Sequence, residues 1–242
     1  MKVYRDIGAL PEFKKAVLTI GTFDGVHLGH KQIIKQLLKE AAAVSGTPVL
    51  ITFHPHPKQV VASVQKPIFM LNNPEEKYKL LHDAGISNIV VVPFNSEFAD
   101  QPASSYISDF LVNKFHPHTI IIGYDHKFGK NRSGDYHLLE KESGNYGYTV
   151  KEKPEHILQN VTISSTRIRE ALLSGDIDTA NEFLGYNYFF SGLVIEGNKL
   201  GRTIGYPTAN LQVPDEKKLI PANGVYAVIV KVEGYEHAFK GM

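Results

Sequence analysis

The stretch GTFDGVHLGHKQII, Gly21–Ile34, joins a short apolar run to an amphipathic segment. The preceding run, AVLTI (16–20), is continuous in apolar character, as expected of a parallel strand that is covered on both faces. Two histidines, His27 and His30, fall where a helix would begin. Three interpretations are open at this point: a metal site, a structural turn, or a pocket for phosphate.

The chemistry of the stretch favours phosphate. The first N–H groups of a helix are unpaired and form a natural anion site. Gly21 and Gly25 let the backbone approach a bound phosphate, and imidazoles can donate hydrogen bonds to its oxygens. A zinc site needs three or four protein ligands, for which His54, His56 or Asp24 are the further candidates in a chain without cysteine. A glycine-rich turn with incidental histidines remains the structural alternative.

The first three quarters of the chain alternate between two patterns. Buried-strand runs are AVLTI (16–20), PVLITF (48–53), NIVVVPF (88–94) and TIIIG (119–123), and helical patterns are KQIIKQLLKEAAAV (31–44), NPEEKYKLLHDAG (73–85) and PASSYISDFLVNKF (102–115). In the second helix we expect Asn73 as N-cap, Glu76 as its capping-box partner and Gly85 after the end. This alternation predicts an α/β fold with a doubly wound parallel sheet, which binds ligands beyond the carboxyl ends of its strands.

From Tyr186 onwards the pattern becomes β-like, in YFFSGLVIEG, TANLQV and GVYAVIVKVEG. These segments predict the start of an antiparallel β-barrel. The sequence ends at EHAFKGM, where no closing strand or helix is indicated, so we expect an incomplete barrel and a truncated chain. We place the domains at residues 1–184 and 185–242.

Composition excludes several classes of function. The 242 residues carry a formal net charge of +1, so the protein as a whole has no electrostatic field that would attract nucleic acid. They contain no cysteine, which excludes thiolate chemistry. The N-terminus has no signal-peptide core, and no apolar run approaches a membrane span. We expect a cytoplasmic protein that binds neither nucleic acid nor membrane.

GTFDGVHLGH resembles the HxGH signature of nucleotidyltransferases, in the form found in bacterial bifunctional riboflavin kinase/FMN adenylyltransferases, also called FAD synthetases. Five further stretches match that family in order: TFHPHP (52–57), FNSEFADQPASSYISDFL (94–111), GYDHKFGKNRSGD (123–135), ISSTRIREALLSGD (163–176) and GRTIGYPTANL (201–211). The resemblance covers nearly the whole chain. It implies a Rossmann-like nucleotidyltransferase fold and the reaction of ATP with FMN, in the presence of Mg²⁺, to give FAD and pyrophosphate.

The resemblance also implies roles for individual residues. The expected catalytic residues are His27, His30 and Asp125; the ATP-binding residues are Gly21, Phe23, Asp24, Gly25, Ser165, Thr166 and Arg167; the flavin-binding residues are His56, Pro57 and Phe128. In ISSTRIREAL, hydroxyl side chains can cap a helix whose N–H groups face an anion. Arg169 is expected to be solvated. Phe128 and Tyr124 are expected to offer apolar surface to a flat ring, and His126 stands where the family usually has phenylalanine.

GRTIGYPTANL resembles the riboflavin kinase signature, which implies that Thr208 and Asn210 help to bind Mg²⁺ and ATP phosphates. The later kinase motifs are absent from the 242 residues, so we expect no riboflavin phosphorylation by this chain. Two alternatives stay open: a nucleotidyltransferase for another phosphorylated acceptor such as phosphopantetheine, and a flavin-binding remnant without activity.

Overall fold

The structure of the protein is a computed structural model that describes residues 1–61, 68–154, 157–158, 161–206 and 208–242. Its strands are β1 (Lys2–Tyr4), β2 (Ala16–Ile20), β3 (Pro48–His54), β4 (Asn88–Pro93), β5 (Pro117–Gly123), β6 (Thr149–Lys153), β7 (Ile157–Leu158), β8 (Val161–Thr162), β9 (Leu193–Ile195), β10 (Asn210–Gln212), β11 (Val228–Val230) and β12 (Phe239–Gly241).

The helices are α1 (Leu28–Ala43), α2 (Pro57–Val60), α3 (Pro74–Asp83), α4 (Ser96–Ala99), α5 (Ala103–Ser105), α6 (Asn113–Phe115), α7 (Tyr136–Tyr146), α8 (Ser165–Ser174), α9 (Ile177–Leu184) and α10 (Leu200–Thr203). A π-helical segment, Tyr106–Val112, joins α5 to α6, so the predicted helix over 102–115 forms with a widened middle. None of the helices in the described ranges is long and apolar enough to span a membrane.

Six strands form one parallel sheet in the order β1-β4-β3-β2-β5-β6. The doubly wound α/β prediction is therefore confirmed, and the four predicted strands are its central members. The edge strands β1 and β6 are additions to the prediction. They carry no continuous apolar run, because an edge strand such as TVKEK in β6 is only partly covered.

Side chains alternate between the two faces of this sheet. Leu18, Ile120 and Ile122 belong to one core cluster, whereas Val17 and Ile121 belong to the other. This explains why the central strands read as unbroken apolar runs: each successive residue is buried, but on opposite faces. Helix α3 shows the predicted capping box, with Asn73 and Glu76 bonded reciprocally.

The second region is built from short antiparallel pairs, as predicted. Strand β9 pairs with β10, and β11 pairs with β12. The expectation that no strand follows in EHAFKGM was wrong, because Phe239–Gly241 pairs with Val228–Val230. The sequence pattern there is too short and too interrupted by glycine to indicate a strand without its partner.

Part of the second region packs directly on the first. Met70 and Lys218 form a parallel bridge, in which Met70 N donates to Lys217 O (2.7 Å) and Leu219 N donates to Met70 O (2.8 Å). Leu219 joins a third core cluster with residues of α8 and α9. This contact positions residues 214–217 beside the carboxyl edge of the sheet, where the candidate site lies.

Candidate functional site

The candidate site lies where β2, β3 and β5 end. The chain moves from β2 through β3 to β4 on one side, and then returns to place β5 on the other side of β2. This reversal of strand order opens a crevice beyond the carboxyl ends of the strands. The loop from Gly21 to His27 leaves β2 into this crevice, and α1 begins directly after it.

The two histidines of that loop form a stacked pair. His27 is the N-cap of α1, and its Nδ1 accepts a hydrogen bond from the backbone N–H of His30 (3.4 Å). The ring centroids are 3.6 Å apart, and the ring of Phe23 lies 5.0 Å from that of His30. Burial, together with the charge of Lys77 and the proximity of His27, lowers the pKa of His30 well below its usual value. At neutral pH the His30 imidazole is therefore uncharged and acts as a hydrogen-bonding group.

The Asp24 carboxylate is buried and binds other groups of the protein. Its carboxylate is 4% exposed, accepts hydrogen bonds from the backbone N–H groups of Leu71 (3.0 Å) and Asn72 (3.4 Å), and forms an ion pair with Arg169. Burial raises the pKa of Asp24, while Arg169 opposes that rise. A carboxylate held in this way fixes the loop, and it is not free to serve as a metal ligand.

The expectation that Arg169 is solvated was wrong. The residue is 8% exposed, and its Nε donates to the backbone carbonyl of Phe69 (2.7 Å) while its guanidinium pairs with Asp24. The spacing of α8 explains the error. Ile168 and Leu172 form the apolar stripe of the helix, and Arg169 borders that stripe because adjacent positions on a helix are rotated by only about 100°.

Helix α8 meets the histidine loop at its own N-terminus. Ser164 caps the helix by accepting from Arg167 N (3.4 Å), and Ser165 Oγ donates to the backbone carbonyl of Asp24 (2.9 Å). Thr166 and Arg167 are exposed on the first turn. The structure therefore brings the SSTRIR and GTFDGVHLGH motifs together, so that the N-termini of α1 and α8 are tied to one loop.

Packing within the protein favours glycine at two positions of the loop. Gly25 has φ +85°, and a Cβ there would lie 2.6 Å from Leu71 Cδ1; at Gly21 it would lie 3.1 Å from the ring of Phe23. Close approach of a ligand is thus not the only reason for these glycines. Left-handed φ alone favours glycine at position 25.

A pocket of about 380 Å³ opens beside this loop. His54 and His56 line it after β3, and residues 214–217 of the second region close another side. His56 caps α2, accepting from Lys58 N (3.1 Å), with Pro57 at the first helical position. Burial lowers the pKa of His56 to about 3, so its imidazole is neutral. Within the described ranges, no group of three or more His, Asp or Glu side chains is arranged to hold a metal ion.

The loop after β5 differs in part from expectation. Phe128 is 5% exposed, pairs through its backbone with Gly134, and stacks on Tyr106 at 4.6 Å between centroids. The expectation that Phe128 offers open surface to a flat ring was therefore wrong: a core aromatic already covers it. Asp125 is exposed, and burial lowers the pKa of His126 to about 4.

Thr208 and Asn210 lie in the second region with exposed side chains. Asn210 is the first residue of β10 and lies opposite Ile195. Its amide packs on Gly197, where a Cβ would fall 1.9 Å from Asn210 Nδ2. Their hydroxyl and amide oxygens are of the hard type that Mg²⁺ accepts.

Two lysines that the structure places at or near the site were not identified from the sequence. Lys218 is 3% exposed, and its ammonium donates to Glu76 Oε2 (2.7 Å), Leu71 O (2.6 Å) and Phe189 O (2.9 Å). Lys77 reaches into the pocket from α3. Neither belongs to a motif, and both look like ordinary surface lysines in the sequence, so only the fold identifies them.

A doubly wound sheet with two helix N-termini tied to one loop, which also carries a stacked histidine pair, is typical of α/β proteins that act on phosphate groups. Residues 10–167 match the FAD synthetase family, and residues 184–242 match the riboflavin kinase family. The chain belongs to the FAD synthetase family and carries a riboflavin kinase region.

Curated relatives agree with this assignment. A bifunctional riboflavin kinase/FMN adenylyltransferase of Listeria monocytogenes serovar 1/2a is 37% identical over 222 residues, which cover 91% of this chain and 69% of the relative. The protein of the same name from Escherichia coli (strain K12) is 37% identical over 232 residues, covering 95% and 73%. A crystal structure described as a macrolide-efflux protein from Streptococcus pneumoniae superposes with a TM-score of 0.86 at 29% identity, covering 99% of this chain and 76% of that chain.

Proposed function

We propose that this chain transfers the adenylyl group of ATP to FMN, giving FAD and pyrophosphate. The observation that carries the proposal is the stacked pair of His27 and His30 at the N-terminus of α1, on the same loop to which Ser165 of α8 is bonded. Membership of the FAD synthetase family and the names of the relatives support the choice of substrates.

In the proposed step, an oxygen of the FMN phosphate attacks the α-phosphorus of ATP. The new P–O bond forms in line with the bond to the β,γ-diphosphate, which breaks and leaves as pyrophosphate. The attacking phosphate is already ionised at neutral pH, so no general base is needed. Positioning and charge stabilisation therefore supply the catalysis, of which positioning alone can contribute about 7–11 kcal/mol.

His27 and His30 donate hydrogen bonds to the α-phosphate as negative charge develops there. Ser165, Thr166 and Arg167 hold the β- and γ-phosphates at the N-terminus of α8, where the first turn of the helix and the exposed Arg167 side chain can face them. The loop residues Gly21, Phe23, Asp24 and Gly25 border ATP, and the ion pair of Asp24 with Arg169 holds that loop in place. Mg²⁺ carried by the phosphates of ATP would neutralise charge on the leaving pyrophosphate.

His56 lines the pocket and Pro57 follows it at the start of α2, and we assign both to the acceptor side. Asp125 is exposed just after β5, where it would meet a ribose hydroxyl or a phosphate. For Phe128 to touch the flavin, its stack with Tyr106 would have to open. In the riboflavin kinase region, Thr208 and Asn210 would hold Mg²⁺ and the phosphates of ATP.

Incubation of the chain with ATP, Mg²⁺ and FMN tests the proposal. We expect FAD and pyrophosphate in equal amounts, and no adenylylated product when 4′-phosphopantetheine replaces FMN. Flavin binding without pyrophosphate release would show that the chain only binds its ligands. Adenylylation of phosphopantetheine in preference to FMN would refute the choice of acceptor.

A further inference from the structure

Lys77 is a cation inside the pocket that the roles described above leave unused. It projects from α3, and its Nζ donates to the backbone carbonyl of Thr22 (3.4 Å) and to Thr52 Oγ1 (3.2 Å). An ammonium carries three N–H groups. Among the described residues, these two acceptors take two of them, which leaves one donor for a ligand in the pocket.

The neighbouring carboxylates do not neutralise Lys77. Asp24 already accepts from two backbone N–H groups and is paired with Arg169. Glu76, beside Lys77 on α3, is paired with Lys218 at 2.7 Å. Each acid has its own cationic partner, so Lys77 adds a positive charge to the pocket that no carboxylate of the described residues pairs with directly, although the charge of Asp24 raises the pKa of Lys77.

Three imidazoles, of which His54 and His56 line the pocket, leave that charge unchanged. Burial lowers the pKa values of His30, His54 and His56, and the charge of Lys77 lowers each of them further. All three are neutral at pH 7. They can accept or donate hydrogen bonds beside a bound anion, but they carry no charge of their own.

The remaining charges lie at the rim. Asp215, Glu216 and Lys217 line the outer side of the pocket, and Glu216 and Lys217 are exposed. Lys217 Nζ donates to Gln59 Oε1 (3.3 Å), and Asp215 accepts from the backbone N–H of Lys217 (2.9 Å). Solvent screens these groups far more than it screens Lys77.

A half-buried cation that pairs with no carboxylate loses part of its hydration, and an anionic ligand compensates for that loss. We propose that Lys77 binds a phosphate group of the substrates in this pocket, which would make it a further catalytic residue; this inference rests on the proposed adenylyl transfer. The phosphate belongs either to FMN or to ATP, since both offer oxygens that accept the same N–H group.

The test compares Lys77→Met with Lys79→Met, a lysine that is exposed on the same helix. Calorimetric titration of the whole chain measures affinity for FMN against riboflavin, and for ATP against adenosine. We expect Lys77→Met to weaken one phosphorylated ligand by about 10- to 100-fold, the usual effect of one charged hydrogen bond, and to leave its phosphate-free counterpart unchanged. A loss for FMN assigns the flavin phosphate, and a loss for ATP assigns the nucleotide.

Equal losses for phosphorylated and phosphate-free ligands, or no loss in either pair, would overturn the inference. The pH dependence gives a second measurement, because burial lowers the pKa of Lys77 to about 8. Affinity for the phosphorylated ligand should fall above about pH 8 in the unaltered chain and stay constant in Lys77→Arg, whose guanidinium remains charged. Constant affinity in the unaltered chain would contradict the role of Lys77.

FAD formation by the unaltered chain is recorded in parallel. Its absence would count against the proposed function, whereas the binding titrations alone decide the role of Lys77. A thermal unfolding curve for each variant shows that the compared chains are folded.

Discussion

Removal of the Arg169 guanidinium should destabilise the protein far more than removal of the exposed guanidinium two residues earlier. In Arg169→Met, the Asp24 carboxylate stays 4% exposed and keeps its backbone N–H donors, but it loses its cationic partner. The carbonyl of Phe69 also loses the Nε donor at 2.7 Å.

The expected magnitude follows from burial. Breaking a buried ion pair by removing one partner costs about 3–5 kcal/mol, because an uncompensated charge remains. Burial already raises the pKa of Asp24, and loss of Arg169 removes the strongest influence that opposes the rise. Asp24 of the variant then binds a proton more tightly in the folded state than in the unfolded state. The free-energy cost of its ionised carboxylate is therefore present in full at neutral pH and decreases as the pH falls. We expect the loss of stability to be smaller at about pH 5 than at about pH 7.

Urea unfolding followed by circular dichroism measures these free energies, with Arg167→Met as the matched control. The control should stay within about 0.5 kcal/mol of the unaltered chain, as surface substitutions usually do. Adding Asp24→Asn to Arg169→Met should recover part of the loss, because it removes the unpaired charge. A loss below about 1 kcal/mol for Arg169→Met, or the same loss at both pH values, would refute this account of the pair.

Two further stability predictions concern the packing around the site. Lys218→Met leaves Glu76 buried without its cation and should lower the free energy of unfolding by about 3–5 kcal/mol. Lys217→Met, at an exposed lysine, is the control and should change it little. Equal effects of the two substitutions in urea unfolding would contradict the contribution of the buried ion pair. Gly25→Ala combines φ +85° with a Cβ 2.6 Å from a leucine methyl carbon and should lower stability by about 1–3 kcal/mol. Gly144→Ala is the control: it lies in α7, an added Cβ would meet nothing within 4 Å, and we expect it to raise the melting temperature. If Gly25→Ala also raised the melting temperature, that would count against strain at Gly25.

The central sheet and the position of the site follow from local sequence patterns. Ala16–Ile20 and Ile120–Ile122 are buried at every position because both faces of the sheet are covered. Such strands appear in the sequence as apolar runs without a period of two. The start of α3 is equally local, since Asn73 and Glu76 form their capping box within one helical turn.

What sequence patterns could not predict depends on contacts between distant residues. Arg169 pairs with Asp24 across 145 positions of the chain, and Lys218 pairs with Glu76 across 142. A lysine or arginine at the edge of a helical stripe has the same local signature whether it is solvated or buried. Phe128 likewise belongs to the core because Tyr106 and Gly134 meet it there, and nothing next to it in the sequence indicates that contact.

The central claim is that the stacked pair of His27 and His30 stabilises the transition state of adenylyl transfer. Steady-state turnover of FMN and ATP to FAD by His27→Ala and His30→Ala tests it most directly, with His82→Ala, at an exposed histidine of α3, as the control. Each of the first two variants should lose about two to three orders of magnitude in turnover, since one preorganised donor contributes about 3–4 kcal/mol, while the control and the circular dichroism spectra stay unchanged. Unchanged turnover in either His27→Ala or His30→Ala would contradict the claim.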